Sequence, residues 1–267
     1  MNRDPGLNVH RALVSTNPQH GAGQHGLTQE TTAPSIAELP PWQRWLHHPE
    51  TLPTHRFLFQ LHLWLGMLAS LYIFVMSLSG SAIVFRNQLE ASANPQVVAA
   101  VESLVAFHSN LLSGDAGRLF NGVGAIVVTL LCLTGIVIWW PGVDHWRRSL
   151  TVGPKLSFAR MNWDLHNALG FWTFLFVLMW GISGIYFAFP DAFNRMVDAI
   201  NGPDSGNKLR FGDQVLTGIS NLHFGRFSLF TESIWVVVGL VPAVLSFTGM
   251  FMCCHRILIR KGAPLPR

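Results

Sequence analysis

Four stretches of this chain are apolar for long enough to cross a lipid bilayer, and nothing else in the sequence limits its fold as much. They run from His62 to Phe85, Leu119 to Trp140, Asp164 to Phe189 and Glu232 to His255. Wound as helix at about 1.5 Å per residue, each covers a hydrocarbon core of about 30 Å. All 18 Lys and Arg residues fall outside them, as expected where a charge at mid-bilayer is costly. With 12% charged residues against 49% hydrophobic, the chain lacks the polar surface that a soluble fold of this length needs. The expectation is an all-α membrane protein with four transmembrane helices, surrounded by lipid.

Orientation follows from the basic residues. One side of the membrane holds Arg3, Arg11, Arg44 and Arg56, then Arg147, Arg148, Lys155 and Arg160, then Arg256, Arg260, Lys261 and Arg267. The other holds Arg86, Arg118, Arg195, Lys208, Arg210 and Arg226, with the larger share of the 14 acidic residues. The positive-inside rule then puts both termini in the cytoplasm, N-in and C-in. The basic balance is accounted for by topology, and no Lys/Arg cluster interleaved with aromatics argues for nucleic acid.

Residues 1–56, rich in Gly, Pro, Gln, Thr and His without an apolar period, read as a disordered cytoplasmic tail. They contain no signal-peptide core, so the first span is expected to act as an uncleaved anchor, with Trp42, Trp45 and Trp64 at the interface. Cys132, Cys253 and Cys254 form no CxxC or CxxCH pattern, which leaves no case for a disulfide framework, covalent haem or a thiolate zinc site.

The apolar spans contain a tandem repeat. Leu61, His62 and Gly66 match Leu165, His166 and Gly170, and Ser79-Gly80 matches Ser183-Gly184, all at an offset of 104 residues. In the second helix of each half, Thr134-Gly135 matches Thr248-Gly249, with His108 and His223 lying 27 and 26 residues before the glycine. The expected organisation is a first repeat over 57–150, a second over 151–260 and a short tail, 261–267. Each repeat holds two spans, so the halves insert with the same orientation and are related by a pseudo-twofold axis along the membrane normal. Equivalent residues then share a depth, pairing His62 with His166 near the cytoplasmic face and His108 with His223 near the opposite one.

Two opposed neutral imidazoles in an apolar slot between helices are what a six-coordinate haem requires. Gly66 and Gly170, one turn beyond their histidines, leave space for a flat macrocycle. The Ser-Gly and Thr-Gly pairs could serve likewise, or could simply let helices pack closely. Arg56 and Arg160 on one side, Arg118 and Arg226 on the other, could meet haem propionates or act as ordinary interfacial anchors. Zinc or copper binding, a proton path and a purely structural role are the alternatives for the four histidines. His47, His48, His55, His145 and His255 have no repeat partner and read as interfacial polar residues.

The matched segments resemble the PepSY-associated transmembrane helix family. The resemblance lies in LHLWLGMLASLYIFVMSLSGSAIVFRNQLE from Leu61, HSNLLSGDAGRLFNGVGAIVVTLLCLTGIVIWWPG from His108, LHNALGFWTFLFVLMWGISG from Leu165, and NLHFGRFSL with the run ending SFTGMF. It implies a multi-pass protein of the bacterial inner membrane, often associated with iron or siderophore uptake; some members look like dihaem reductases that release iron from ferric siderophores. On that pattern His62 and His166 would ligate a cytoplasmic-side haem b, and His108 and His223 a periplasmic-side one. Family members commonly carry a periplasmic domain between paired helices. Here the outer loops, 86–118 and 190–231, are too short for a separate core and are expected to hold surface helices over Val97–Leu112 and Asp191–Ile200.

The function expected is therefore transmembrane electron transfer, from a cytoplasmic donor or quinol to a periplasmic ferric acceptor such as a ferric siderophore. No GxGxxG or hydrolase constellation is present. A noncatalytic protein that assists siderophore or metal-ion transport is the competing expectation, to which Pro242, a proline inside the fourth span, lends some support.

Overall fold

A computed structural model describes residues 35–92, 94–143, 146–153, 157–202 and 210–262. Among these, every regular element is helical. Helix α1 is Pro41–His47, α2 Pro53–Ala82, α3 Arg86–Glu90, α4 Pro95–Asn110, α5 Gly114–Trp139, α6 Phe158–Ala188, α7 Pro190–Asn201, α8 Phe211–Phe224, α9 Leu229–Gly239 and α10 Val241–Gly262. Four stretches are long and apolar enough to span a membrane: α2, α5, α6, and α9 with the first part of α10.

The spanning helices begin earlier than the apolar stretches suggest. Pro53 opens α2 at a position where its fixed φ suits the helix and its missing N–H is no loss, so His62 lies more than two turns inside the helix. α6 starts at Phe158, which places His166 likewise. The tail expected over 1–56 is partly helical: residues 1–34, with Arg3 and Arg11, lie outside the described residues, but α1 and the short turn Pro49–Thr51 precede α2. α1 is fastened where Val143 N–H donates to the Leu46 carbonyl and Trp140 Nε1 donates to the Trp45 carbonyl, with the Trp45 and Trp140 rings stacked 5.7 Å apart. Lys155, Lys208 and residues 263–267 lie outside the described residues. Surface helices occur as α4 and α7 where the loops suggest them, and α8 is an addition.

α2 packs against α5 and α10, and α6 packs against the same two helices, so α2 and α6 stand at opposite corners of the bundle. α4 rests on α5 and α2, and α8 rests on α6 and α7. The core is inverted relative to a soluble protein. Small polar groups, Ser70, Ser79, Thr134, Thr173, Ser183 and Thr248, are buried, while Leu68, Leu71, Leu119, Trp172, Leu175 and Val237 face outward. Lipid is as apolar as leucine, so burying large side chains gains little; close approach and hydrogen bonding between helices decide the packing. Buried Asp164 is paired with Arg160 one turn away, at 3.0 Å.

Two irregularities position the end of the bundle that carries α4 and α8, here termed the outer end. Between α4 and α5 the chain reverses through Leu111 (φ 52°), Leu112 (φ 57°) and Gly114 (φ 57°), a left-handed path that costs a leucine about 1–2 kcal/mol. It keeps His108 of α4 beside the first turns of α5. In the fourth span, Pro242 supplies no N–H and the ladder breaks at Leu240. Ser77 of α2 fills the break: its hydroxyl donates to the Gly239 carbonyl and accepts from Ala243 N–H, so the interrupted groups are satisfied.

Candidate cofactor site

The small-residue pairs of the repeat meet the histidines. His62 Nδ1 of α2 lies 2.9 Å from Thr134 Oγ1 of α5, and His166 Nδ1 of α6 lies 2.9 Å from Thr248 Oγ1 of α10. At the other end, His108 Nδ1 of α4 lies 2.9 Å from Ser79 Oγ of α2, and His223 Nδ1 of α8 lies 2.6 Å from Ser183 Oγ of α6. Each hydroxyl also lies within donating distance of a carbonyl of its own helix. Thr134 donates to Leu130 at 2.7 Å, Thr248 to Val244 at 2.8 Å, Ser183 to Met179 at 2.7 Å and Ser79 to Met76 at 3.2 Å. A hydroxyl has one proton. With that proton spent on the carbonyl, the oxygen accepts from Nδ1–H, which fixes each imidazole as the neutral Nδ1–H tautomer with its lone pair on Nε2. Among the described residues nothing is hydrogen-bonded to any of the four Nε2 atoms.

The glycine of each pair makes room for the ring at three of the four positions. A Cβ on Gly80 would lie 2.9 Å from His108 Cε1, on Gly135 3.2 Å from His62 Cε1, and on Gly249 3.3 Å from His166 Cε1. Gly184 differs, since its Cβ would meet Ala125 Cβ at 3.0 Å, a helix–helix contact. Gly66 and Gly170 adjoin more open space: a Cβ there would touch only Leu131 at 3.7 Å and Leu245 at 4.0 Å.

His108 and His223 line one cavity of about 480 Å³ near the outer ends of the helices, a size within the usual range for cofactor sites. Tyr72, Trp180 and Phe187 give it apolar walls, Gly80, Gly181 and Gly184 keep it open, and Arg86, Arg118 and Arg226 reach its rim. Both histidines are held through their backbones too: Asn121 Nδ2 donates to the His108 carbonyl at 2.8 Å and Trp180 Nε1 to the His223 carbonyl at 3.2 Å. Burial lowers the pKa of His108 to about 4, with the Met76 carbonyl opposing. Burial lowers that of His223 to about 3, with repulsion from His108 adding to it. Both therefore stay neutral at ordinary pH, the form that ligates iron. His62, His166, Gly66 and Gly170 are not among the residues that line this cavity.

Of the candidate cations, Arg118 pairs with Asp115 at 3.0 Å and Arg226 lies over the Phe224 ring at 4.5 Å. Arg56 donates to the Glu50 carbonyl and Arg160 pairs with Asp164. Among the described residues no three His, Cys, Asp or Glu side chains gather to hold a metal ion. A macrocycle asks for only two axial donors, and two imidazoles per level match that requirement.

Arg86, Asn121 and Trp180 are additions to the site. Asn121 stands in an apolar run, and Trp180 lies mid-span instead of in an interfacial belt; both are anomalies readable in the sequence. Arg86 offers no such signal, because the repeat places Pro190 at its equivalent position.

Comparison with known proteins adds the following. The family model described as PepSY-associated TM region matches residues 59–104 and 101–210. An uncharacterized protein of Pseudomonas aeruginosa is 30% identical over 88 residues, a segment that covers 32% of this chain and 21% of that protein. The chain thus matches about a fifth of that relative's length. No solved structure matches.

Proposed function

Since the chain belongs to the family of PepSY-associated transmembrane regions, a multi-pass membrane architecture is the premise on which we propose that it carries two haems b and conducts electrons across the bacterial inner membrane. The observation that carries this reading is the fourfold contact in which a Ser or Thr hydroxyl takes Nδ1–H and leaves Nε2 unengaged. A ligating histidine commonly gives its second nitrogen to such a partner, which fixes the ring and raises its basicity. Purely structural histidines would be expected to use both nitrogens.

When bound, the haems would supply one-electron chemistry, and the protein's part is placement. Thr134 and Thr248 orient His62 and His166 at one level; Ser79 and Ser183 orient His108 and His223 at the other. His62 and Ser79 are 17 residues apart on α2, as are His166 and Ser183 on α6. At about 1.5 Å per residue the two levels are roughly 25 Å apart, most of a hydrocarbon core. We read the halves as related by an axis along the membrane normal, with both termini cytoplasmic. An electron from a cytoplasmic donor or quinol would then enter at the His62/His166 level. It would leave at the His108/His223 level for a periplasmic ferric acceptor, of which a ferric siderophore is the class we favour.

The broken fourth span lines the outer cavity through Gly239 and Pro242, and this favours a second reading, assistance to siderophore or metal-ion transport. Against it, Ser77 already donates to the Gly239 carbonyl, the group an ion at the break would meet first. A pyridine haemochrome assay with reduced-minus-oxidised spectra separates the two. Two haems b per chain are expected, with His166→Ala and His223→Ala each removing a different centre; colourless protein that still binds a ferric siderophore would select the second reading.

A further inference from the structure

We infer that Arg86 and Arg226 form a carboxylate seat at the rim of the outer cavity, so that its occupant presents a carboxylate at its outward edge. This rests on the reading above that the cavity receives a ligand, and it names the chemistry that fixes the ligand's orientation. Arg86 follows directly on the first span, where an arginine serving only as an anchor would extend its guanidinium into water. Instead its Nε is buried without a hydrogen-bond partner, and among the described residues it has no ion pair. Its guanidinium lies 5.7 Å from the centre of the Phe224 ring, over which Arg226 lies at 4.5 Å.

Two cations thus share one aromatic ring beside an apolar cavity. Arg226 is held less firmly protonated than usual, first by loss of water and then by repulsion from Arg86, with Glu232 and Glu90 acting in the opposite direction. Glu232 is itself buried and bonded to the Gln88 amide, and neither carboxylate reaches Arg86. Buried donors left unpaired are rare and costly, and the planar guanidinium fork matches a carboxylate better than it matches water. The carboxylate could belong to a haem propionate or to a carboxylate-bearing ferric chelate.

The test uses the full chain in detergent, as wild type, Arg86→Gln and Arg86→Lys, each also in a His166→Ala background that confines ligation to the outer level. Haemin and haemin dimethyl ester, which lacks the free carboxylates, are titrated by absorbance, and iron(III) citrate by quenching of tryptophan fluorescence. A propionate source predicts that wild type prefers the free acid by roughly tenfold or more, that Arg86→Gln removes most of this preference, and that Arg86→Lys keeps part of it. If neither macrocycle binds, the haem reading fails, yet the seat stands if iron(III) citrate binds and Arg86→Gln weakens it by a similar factor. Equal affinity for acid and ester, or no uptake of either, overturns the inference when iron(III) citrate binding is also absent or indifferent to Arg86. The acid-to-ester comparison in wild type requires no variant to fold.

Discussion

Each of the four imidazoles meets one hydroxyl, and that makes the residue scale the sharpest place to test the site. Thr134→Val keeps the shape but removes the oxygen that accepts from His62 Nδ1–H. The ring keeps the Leu131 carbonyl as an acceptor, and the loss of one hydrogen bond costs about 0.5–1.5 kcal/mol, so thermal unfolding in detergent should move to lower temperature; Thr134→Ser should restore it. A variant as stable as wild type would show that the contact does not hold the ring. Gly80→Ala acts through space, since its methyl would lie 2.9 Å from His108 Cε1. The ring must shift, and on the proposed two-haem reading loss of the outer-level spectrum with the inner one intact is the expected result.

The outer imidazoles also set a pH dependence for the haem-free protein. Folding lowers the pKa of His108 from 6.5 to about 4 and of His223 from 6.5 to about 3. The unfolded chain therefore binds more protons between those limits, so the stabilising contribution is complete above pH 6.5 and is lost progressively as pH falls toward 4 and below. Melting temperatures at pH 7.5 and 5 should differ, and a His108→Gln, His223→Gln variant should narrow the difference.

At the scale of elements, the fourth span is held together by a residue outside it. Ser77→Ala leaves the Gly239 carbonyl without its donor and the Ala243 N–H with the Leu240 carbonyl alone, in surroundings that offer little water. Destabilisation of about 1–3 kcal/mol is expected, measured by unfolding in detergent; hydrogen exchange should rise at Ala243 and its neighbours while α5 stays protected. The spans were legible because length and apolarity suffice to define a membrane helix. Their starts were less so: Pro53 and Phe158 extend α2 and α6 beyond the apolar stretches by turns whose composition is polar or mixed. α8 escaped because the repeat offers α4 as its counterpart only through a single histidine. The Ser-Gly and Thr-Gly pairs were visible as pairs, but which ring each hydroxyl meets depends on how helices far apart in sequence pack. Arg86, whose repeat equivalent is Pro190, could be found only from the burial of its Nε.

Across the whole molecule, each histidine–hydroxyl contact closes within one half of the chain, whereas His108 and His223 come from different halves to line one cavity. Damage at one level should therefore leave the other level's ring orientation intact, because sites this far apart act independently in equilibrium terms. Electron passage, on the proposed reading, would differ from stability in this respect, since two stations in series fail when either is lost. In proteoliposomes holding a reductant inside and ferricyanide outside, wild type should reduce the external acceptor. His166→Ala and His223→Ala should each bring the rate to that of empty vesicles, although each keeps one reducible centre by its spectrum. Conduction that persists in either variant would mean that the two levels are not consecutive steps of one path.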